Sequence, residues 1–169
     1  MTNIRIHHDE LTRFSDALER MPDRLTAEMV TGVNEMLLLG QRETQERTPT
    51  ATGLTRNSII ADAPVVTTGG GVEGRWGSAA PHIEPLEEGS RPHMPPIAPI
   101  QQWVVQKLGI SEPTHARAVA WAVATKIKRE GTRGQFMFRD ATTAISAAVQ
   151  RRLGLAVART IQFMEAQDG

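Results

Sequence analysis

His82-Ile83-Glu84 places an imidazole and a carboxylate two residues apart. On a strand, alternate side chains share a face, so the two could act together on one ligand, as in a small hydrolase. A third ligand at the spacing that a four-coordinate metal requires is missing from the surrounding sequence. Glu87 and Glu88 are adjacent, so on a strand they point to opposite faces and do not make a glycosidase pair. His7-His8-Asp9-Glu10 offers four candidate ligands in a row, but adjacent side chains rarely converge on one ion and such an end frays. Gly131-Thr132-Arg133-Gly134 resembles half a phosphate loop. It lacks the Gly-Lys-Ser/Thr ending and follows a helical stretch, which excludes a nucleotide cradle. No serine stands in a Gly-x-Ser-x-Gly or Ser-x-x-Lys context. The residues therefore point to no catalytic, cofactor-binding or metal site.

Two clusters remain. Lys126, Lys128, Arg129, Arg133 and Arg139 surround one loop, with Glu130 and Asp140 interspersed. They are either a solvated helix end whose cations complement the helix dipole, or a surface facing DNA or an acidic partner. Phe136-Met137-Phe138 sets three large apolar residues beside that loop. They either tuck into the core or form an exposed segment for a partner.

The elements that must position these residues read as follows. Leu11, Phe14, Leu18 and Met21 recur at helical spacing, which predicts a short helix over 9–21, with Pro22 opening a second one over 23–47. Gly40 in that helix allows close approach of a neighbour, and 41–47 is polar all round, as in a helix end that projects into solvent or meets another chain. Residues 58–68 and 72–78 read as strands around the turn Gly69-Gly70-Gly71, with Pro64 marking an edge or a bulge and a third short strand over 82–87. Pro92, Pro95, Pro96 and Pro99 make 89–99 a stiff extended loop. A short helix follows from Pro99, then a helix over 114–130 broken by Gly131 and Gly134, then a last helix from Asp140 or Thr142 to about 166.

The chain of 169 residues is expected to be one domain, with 1–22 as a helical extension, 23–141 as core and 142–169 as the C-terminal helix. Its 19 basic and 19 acidic side chains balance, so bulk charge gives no reason for binding to nucleic acid or membrane. The balance is uneven: 1–110 carry 10 basic and 14 acidic groups, 111–169 carry 9 and 5. This is either ordinary scatter or a basis for head-to-tail packing of an acidic face on a basic one. Cysteine is absent, which rules out disulfides and thiolate zinc sites and fits synthesis in the cytoplasm. Met1–Glu10 lacks the apolar core of a signal peptide, and no stretch approaches the roughly 18 apolar residues of a membrane span.

Three punctuated segments in succession resemble the tail-completion, or neck, proteins of long-tailed bacteriophages. The first is Thr48-Pro49 with Gly53-Leu54 and Ser58, after a long helix. The second is Glu87 or Glu88 with Gly89-Ser90, before the proline-rich loop. The third is Gly131-Thr132-Arg133-Gly134-Gln135-Phe136, between helices. Where the family usually has an aromatic before the second segment, this chain has His82-Ile83. The resemblance implies an α+β subunit, a long N-terminal helix packed on a small antiparallel sheet with additional C-terminal helices, and no catalytic residues. It implies a homo-oligomeric ring of about six copies in the neck of the virion. The implied partners are the head connector or adaptor, the tail-tube or terminator proteins, and DNA passing through without sequence-specific binding. A tail terminator or a head-side adaptor is the nearest alternative, and a DNA-binding module or the small hydrolase the more distant ones. In such a part Glu87, Glu88, Arg91, His93, Met94, Pro95, Pro96, Phe136, Met137 and Phe138 are the expected assembly contacts. Lys126, Lys128, Arg129, Arg133 and Arg139 would then face the DNA channel or a partner.

Overall fold

A computed structural model describes residues 8–49 and 53–166, with side chains from Met21 onward. The fold is α+β: a long N-terminal helix packs on a short antiparallel hairpin, and further helices follow. The chain forms two compact units, one from 1–42, 61–76 and 143–169, the other from 43–60 and 77–142.

In the first unit, helix α1 (His8–Arg47) runs unbroken through Pro22, so the expected division into two helices is not found. Thr26 Oγ1 donates to the Pro22 carbonyl at 2.8 Å. On α1 rests a hairpin of β1 (Ile60–Ala61) paired with β4 (Trp76–Gly77) and β2 (Val65–Val66) paired with β3 (Val72–Glu73). The register of the inner pair is Val65↔Glu73 and Val66↔Val72. The ladder is interrupted near Pro64, which has no N–H to contribute. Gly40 lets the hairpin come close, since a Cβ there would stand 2.9 Å from the Trp76 ring. Leu37, buried, occupies the space a side chain at Gly74 would need. The polar end of α1 does not simply project: Gln41 Oε1 accepts the Ala61 N–H at 3.0 Å. One turn on, Gln45 Nε2 donates to the Ile59 carbonyl at 2.9 Å, inside the second unit. The two glutamines thus stand in for a neighbouring strand at β1, because a four-residue helical step nearly matches a two-residue strand step.

Helix α6 (Met137–Glu165) begins earlier than expected, at Met137. Its C-terminal half packs with α1 through Arg152, whose side chain is only 8% exposed and pairs with Glu35. Gly32 makes room for that guanidinium. Arg159 reaches Glu28 at 3.6 Å, and Arg24 lies over the Phe163 ring.

In the second unit, α2 (Leu54–Asn57) is a single turn. The strand expected over 82–87 is instead helix α3 (Ile83–Glu88). Pro85 falls in its first turn, where a missing N–H costs nothing, and Glu84 suits the positive end of the dipole. Helices α4 (Ile97–Leu108) and α5 (Pro113–Glu130) form a hairpin around Val104, Ala116 and Ala120, all fully buried. The small faces of Ala116 and Ala120 permit the close approach. Helix α4 starts two residues before Pro99, which again sits in a first turn. Glu112 caps α5 by accepting the Thr114 N–H at 2.9 Å and the His115 N–H. Those bonds hold its carboxyl below the usual glutamate range. Among the described residues, no helix is long and apolar enough to cross a membrane.

Candidate functional site: a backbone clasp and the cleft beside it

The second and third punctuated segments meet in space. After α3, β5 (Gly89–Ser90) pairs antiparallel with β6 (Thr132–Arg133), Gly89 opposite Arg133 and Ser90 opposite Thr132. The Ser90 and Thr132 hydroxyls bond at 2.8 Å. Gln135 N–H donates to the Leu86 carbonyl at 2.9 Å, and Phe136 N–H to the Glu87 carbonyl at 3.1 Å. The Glu87 carboxylate then accepts two amides in the first turn of α6, Phe138 N–H and Arg139 N–H, each at 3.0 Å. It is an N-terminal cap supplied from a distant segment, placed where the helix dipole favours an anion.

Glycine is required for this clasp. Gly89 and Gly131 hold φ of 85° and 74°, which side chains seldom tolerate. A Cβ at Gly131 would overlap the Ser90 carbonyl oxygen, and one at Gly134 the Glu87 carbonyl oxygen. Phe136 also takes a left-handed conformation, φ 53°. Its ring lies under the Arg139 guanidinium, 3.9 Å from centroid to carbon. Met137 is fully buried and stands 3.2 Å from Thr48 Oγ1, whose proton goes to the Thr44 carbonyl at 2.7 Å. The first resembling segment is thus joined to the third.

The residues expected to make assembly contacts therefore divide. Met137 and the Glu87 carboxylate are used inside the unit, and Phe136 and Phe138 are half-buried. Met137 is thus not available as an exposed sticky group. Glu88, Arg91, His93, Met94 and Pro96 are exposed, and Pro95 is half-buried. The basic residues Lys126, Lys128, Arg129 and Arg133 are exposed around the end of α5. Arg129 pairs with Glu130, whose carboxyl it holds low, and Arg139 pairs with Asp140 at 3.1 Å.

Beside the clasp is a cleft of about 430 Å³ lined in part by Thr55, His82, Ser90, His93, Trp103 and Lys107. His82 Nε2 bonds Thr55 Oγ1 at 2.9 Å. Glu84 is not among its lining residues, so the His82–Glu84 pairing of the distant hydrolase alternative dissolves with the strand that would have aligned it. His93 Nδ1 lies 2.9 Å from the Arg91 carbonyl and 3.5 Å from Ser90 Oγ. A nitrogen that donates to a carbonyl cannot also take the serine proton, so Ser90 has no base in this arrangement. Among the described residues no three His, Asp or Glu side chains converge on a metal position; the side chains of His7 and His8 lie outside those described. One sign of the cleft is local: Trp103 and Lys107 are four residues apart on α4 and share a face. Nothing in the spacing signals Thr55, Ser90 or Thr132. No known family, curated protein or solved structure matches the chain.

Proposed function

We propose that this chain is a structural ring subunit at the head-proximal end of a long phage tail, completing the tail and joining it to the head connector. It is made in the host cytoplasm and ends in the neck of the virion, with DNA passing through the ring. One observation carries the reading. The segments that resemble tail-completion proteins, 48–49 with 53–58, 87–90 and 131–138, lie in one unit, where 87–90 pairs with 131–138 and Thr48 meets Met137. A dispersed pattern whose residues do backbone work is what a shared scaffold requires, and it needs no reactive group. The same residues that could suggest chemistry are engaged otherwise: Glu87 caps α6, and His93 faces a backbone carbonyl.

The decisive experiment is assembly. Electron microscopy of the purified chain, alone and added to tails made without it, should show a closed ring of about six copies seated at one tail end. Tails so completed should join heads. Deleting 91–96, where Arg91, Pro92, His93, Met94 and Pro96 are exposed, should leave the subunit folded and prevent joining. Unaltered joining by that deletion would remove the proline-rich segment from the reading, and a chain that stays monomeric with tails present would remove the ring.

The exposed Lys126, Lys128, Arg129 and Arg133 favour a second role within the same ring, contact with DNA in the channel or with an acidic neighbour. Replacing Lys128, Arg129 and Arg133 with alanine should spare folding and impair assembly or DNA passage. Parent-like infectivity of that variant would make the cluster an ordinary solvated helix end.

A further inference from the structure

The cleft in the second unit has a one-sided chemistry. Lys107 and the imidazoles of His82 and His93 line it, and among the described residues no carboxylate does. Its apolar lining includes Leu86, Ile127 and the indole of Trp103, which is 41% exposed. The hairpin in the first unit has the converse chemistry. Val65 and Val66 are 63% and 49% exposed. Asp62 and Glu73 beside them are exposed carboxylates, and the one cation between β1 and β4, Arg75, lies 3.6 Å from Asp62 in a solvent-exposed pair.

The backbone makes the same distinction. At β1 the outer edge is covered by Gln41 and Gln45. At β2, among the described residues, no side chain covers the edge. Thr67 N–H donates to the Gly71 carbonyl at 2.8 Å, so the alternation of an antiparallel ladder turns the N–H and C=O of Val66 outward. Natural proteins rarely leave an apolar edge uncovered without a partner for it.

We propose that the hairpin of one copy seats in the cleft of the next copy, with Val65 and Val66 against Trp103, Leu86 and Ile127 and the Asp62 carboxylate at Lys107. This rests on the reading of the chain as a ring subunit and supplies that ring with its two unlike faces: every copy gives a hairpin and receives one. The charges are complementary, carboxylates on the inserted element and the Lys107 ammonium on the receiving one, which favours this register over a hairpin-to-hairpin dimer.

The absence of cysteine allows a clean test. A chain carrying Val66→Cys and His93→Cys, treated with a short bis-maleimide, should give a ladder of covalent oligomers, whereas each single variant should stop at dimer. Val65→Asp with Val66→Asp should leave the circular dichroism spectrum unchanged and lower the mass by light scattering to that of the monomer. Asp62→Lys and Lys107→Glu should each weaken assembly, and the double charge exchange should restore it. A parent that assembles while the double-cysteine chain yields no ladder, or only an internally linked monomer, overturns the docking and leaves the ring to other faces. A parent that remains monomeric in the presence of tails overturns the ring and the docking together.

Discussion

The two units use the same kind of element, a two-residue antiparallel ladder, in opposite ways. In the β5–β6 clasp the partners are backbone on backbone, with glycines where a side chain would collide and a carboxylate brought in to cap the next helix. In the β2–β3 hairpin the ladder is equally short, yet both valines of one strand face solvent, and the unit beneath it is joined by side chains: Leu37 under Gly74, Trp76 on Gly40, Glu35 with Arg152. A two-stranded ladder is marginal by itself. One is stabilised by its own chain, whereas the other leaves its valines in solvent.

The largest effect should come from a methyl group in the clasp. Gly131→Ala meets both a positive φ and the Ser90 carbonyl oxygen. The left-handed conformation costs about 1–3 kcal/mol, and the overlap adds to it because the oxygen belongs to backbone and cannot swing aside. Thermal unfolding should show a drop of many degrees or no folded protein. Gly69→Ala at the hairpin turn meets nothing within 4 Å, and should shift stability by less than about 0.5 kcal/mol. Equal sensitivity at the two glycines would erase the contrast between clasp and hairpin.

Next is Met137→Ala. The side chain is fully buried against Thr48, and removal from such a site costs about 2–5 kcal/mol. Val65→Ala on the hairpin should be near neutral in the isolated subunit. Chemical denaturation of both variants in the monomeric state would check the pair; a comparable loss at Val65 would mean that the hairpin is already covered in solution.

Much of the frame was legible in the residues. The turn at Gly69–Gly71, the breaks at Gly131 and Gly134, the Gly40 approach and the helices of the second half all follow from local punctuation and periodicity. Pro22 and the 83–88 segment did not. A proline signals both the start of a helix and an interruption of one, and Ile-Glu-Pro-Leu-Glu-Glu has the alternation of a strand as well as the charge placement of a helical first turn. The clasp was not legible in local spacing. Glu87 caps a helix 51 residues later in the sequence, and no local rule links a carboxylate to amides at that separation. The cleft was hidden for the same reason: its hydroxyls and imidazoles come from segments with no shared spacing.

Glu87→Ala separates the cap from the glycines. Two first-turn amides of α6, those of Phe138 and Arg139, lose their acceptor, and a lost cap costs about 0.5–2 kcal/mol. Glu87→Gln should recover part of this, since its amide oxygen accepts only one such bond well. Hydrogen exchange at Phe138 and Arg139 should rise in the alanine variant while the α4–α5 core stays protected. If those amides remain protected, the clasp is held by its glycine contacts alone and the carboxylate is incidental.

The smallest effect distinguishes the first unit, where a charge replaces backbone contact. Arg152 is almost wholly buried, its Nη1 has no partner among the described residues, and Glu35 is its counter-charge though itself half exposed. The hydrogen bond from Arg152 is the main reason that the Glu35 carboxyl titrates below the usual range, and partial burial opposes it. A depressed folded-state pKa contributes stability above the unfolded value, about 4.3, and that contribution is lost as pH falls through the folded value. Glu35→Gln should therefore make stability fall less steeply below pH about 4 than in the parent, with Glu112 and Glu130 still titrating in both. At neutral pH the variant strands a buried cation. Because Glu35 is half in water, the cost should be about 1–2 kcal/mol, below that of breaking a fully buried pair. Arg152→Met removes the stranded charge and the unpartnered nitrogen together, so it should cost less than Glu35→Gln. Urea titrations of the two variants at neutral and acid pH would decide it: a larger loss from Arg152→Met would mean that the ion pair, and not apolar packing, joins α6 to α1.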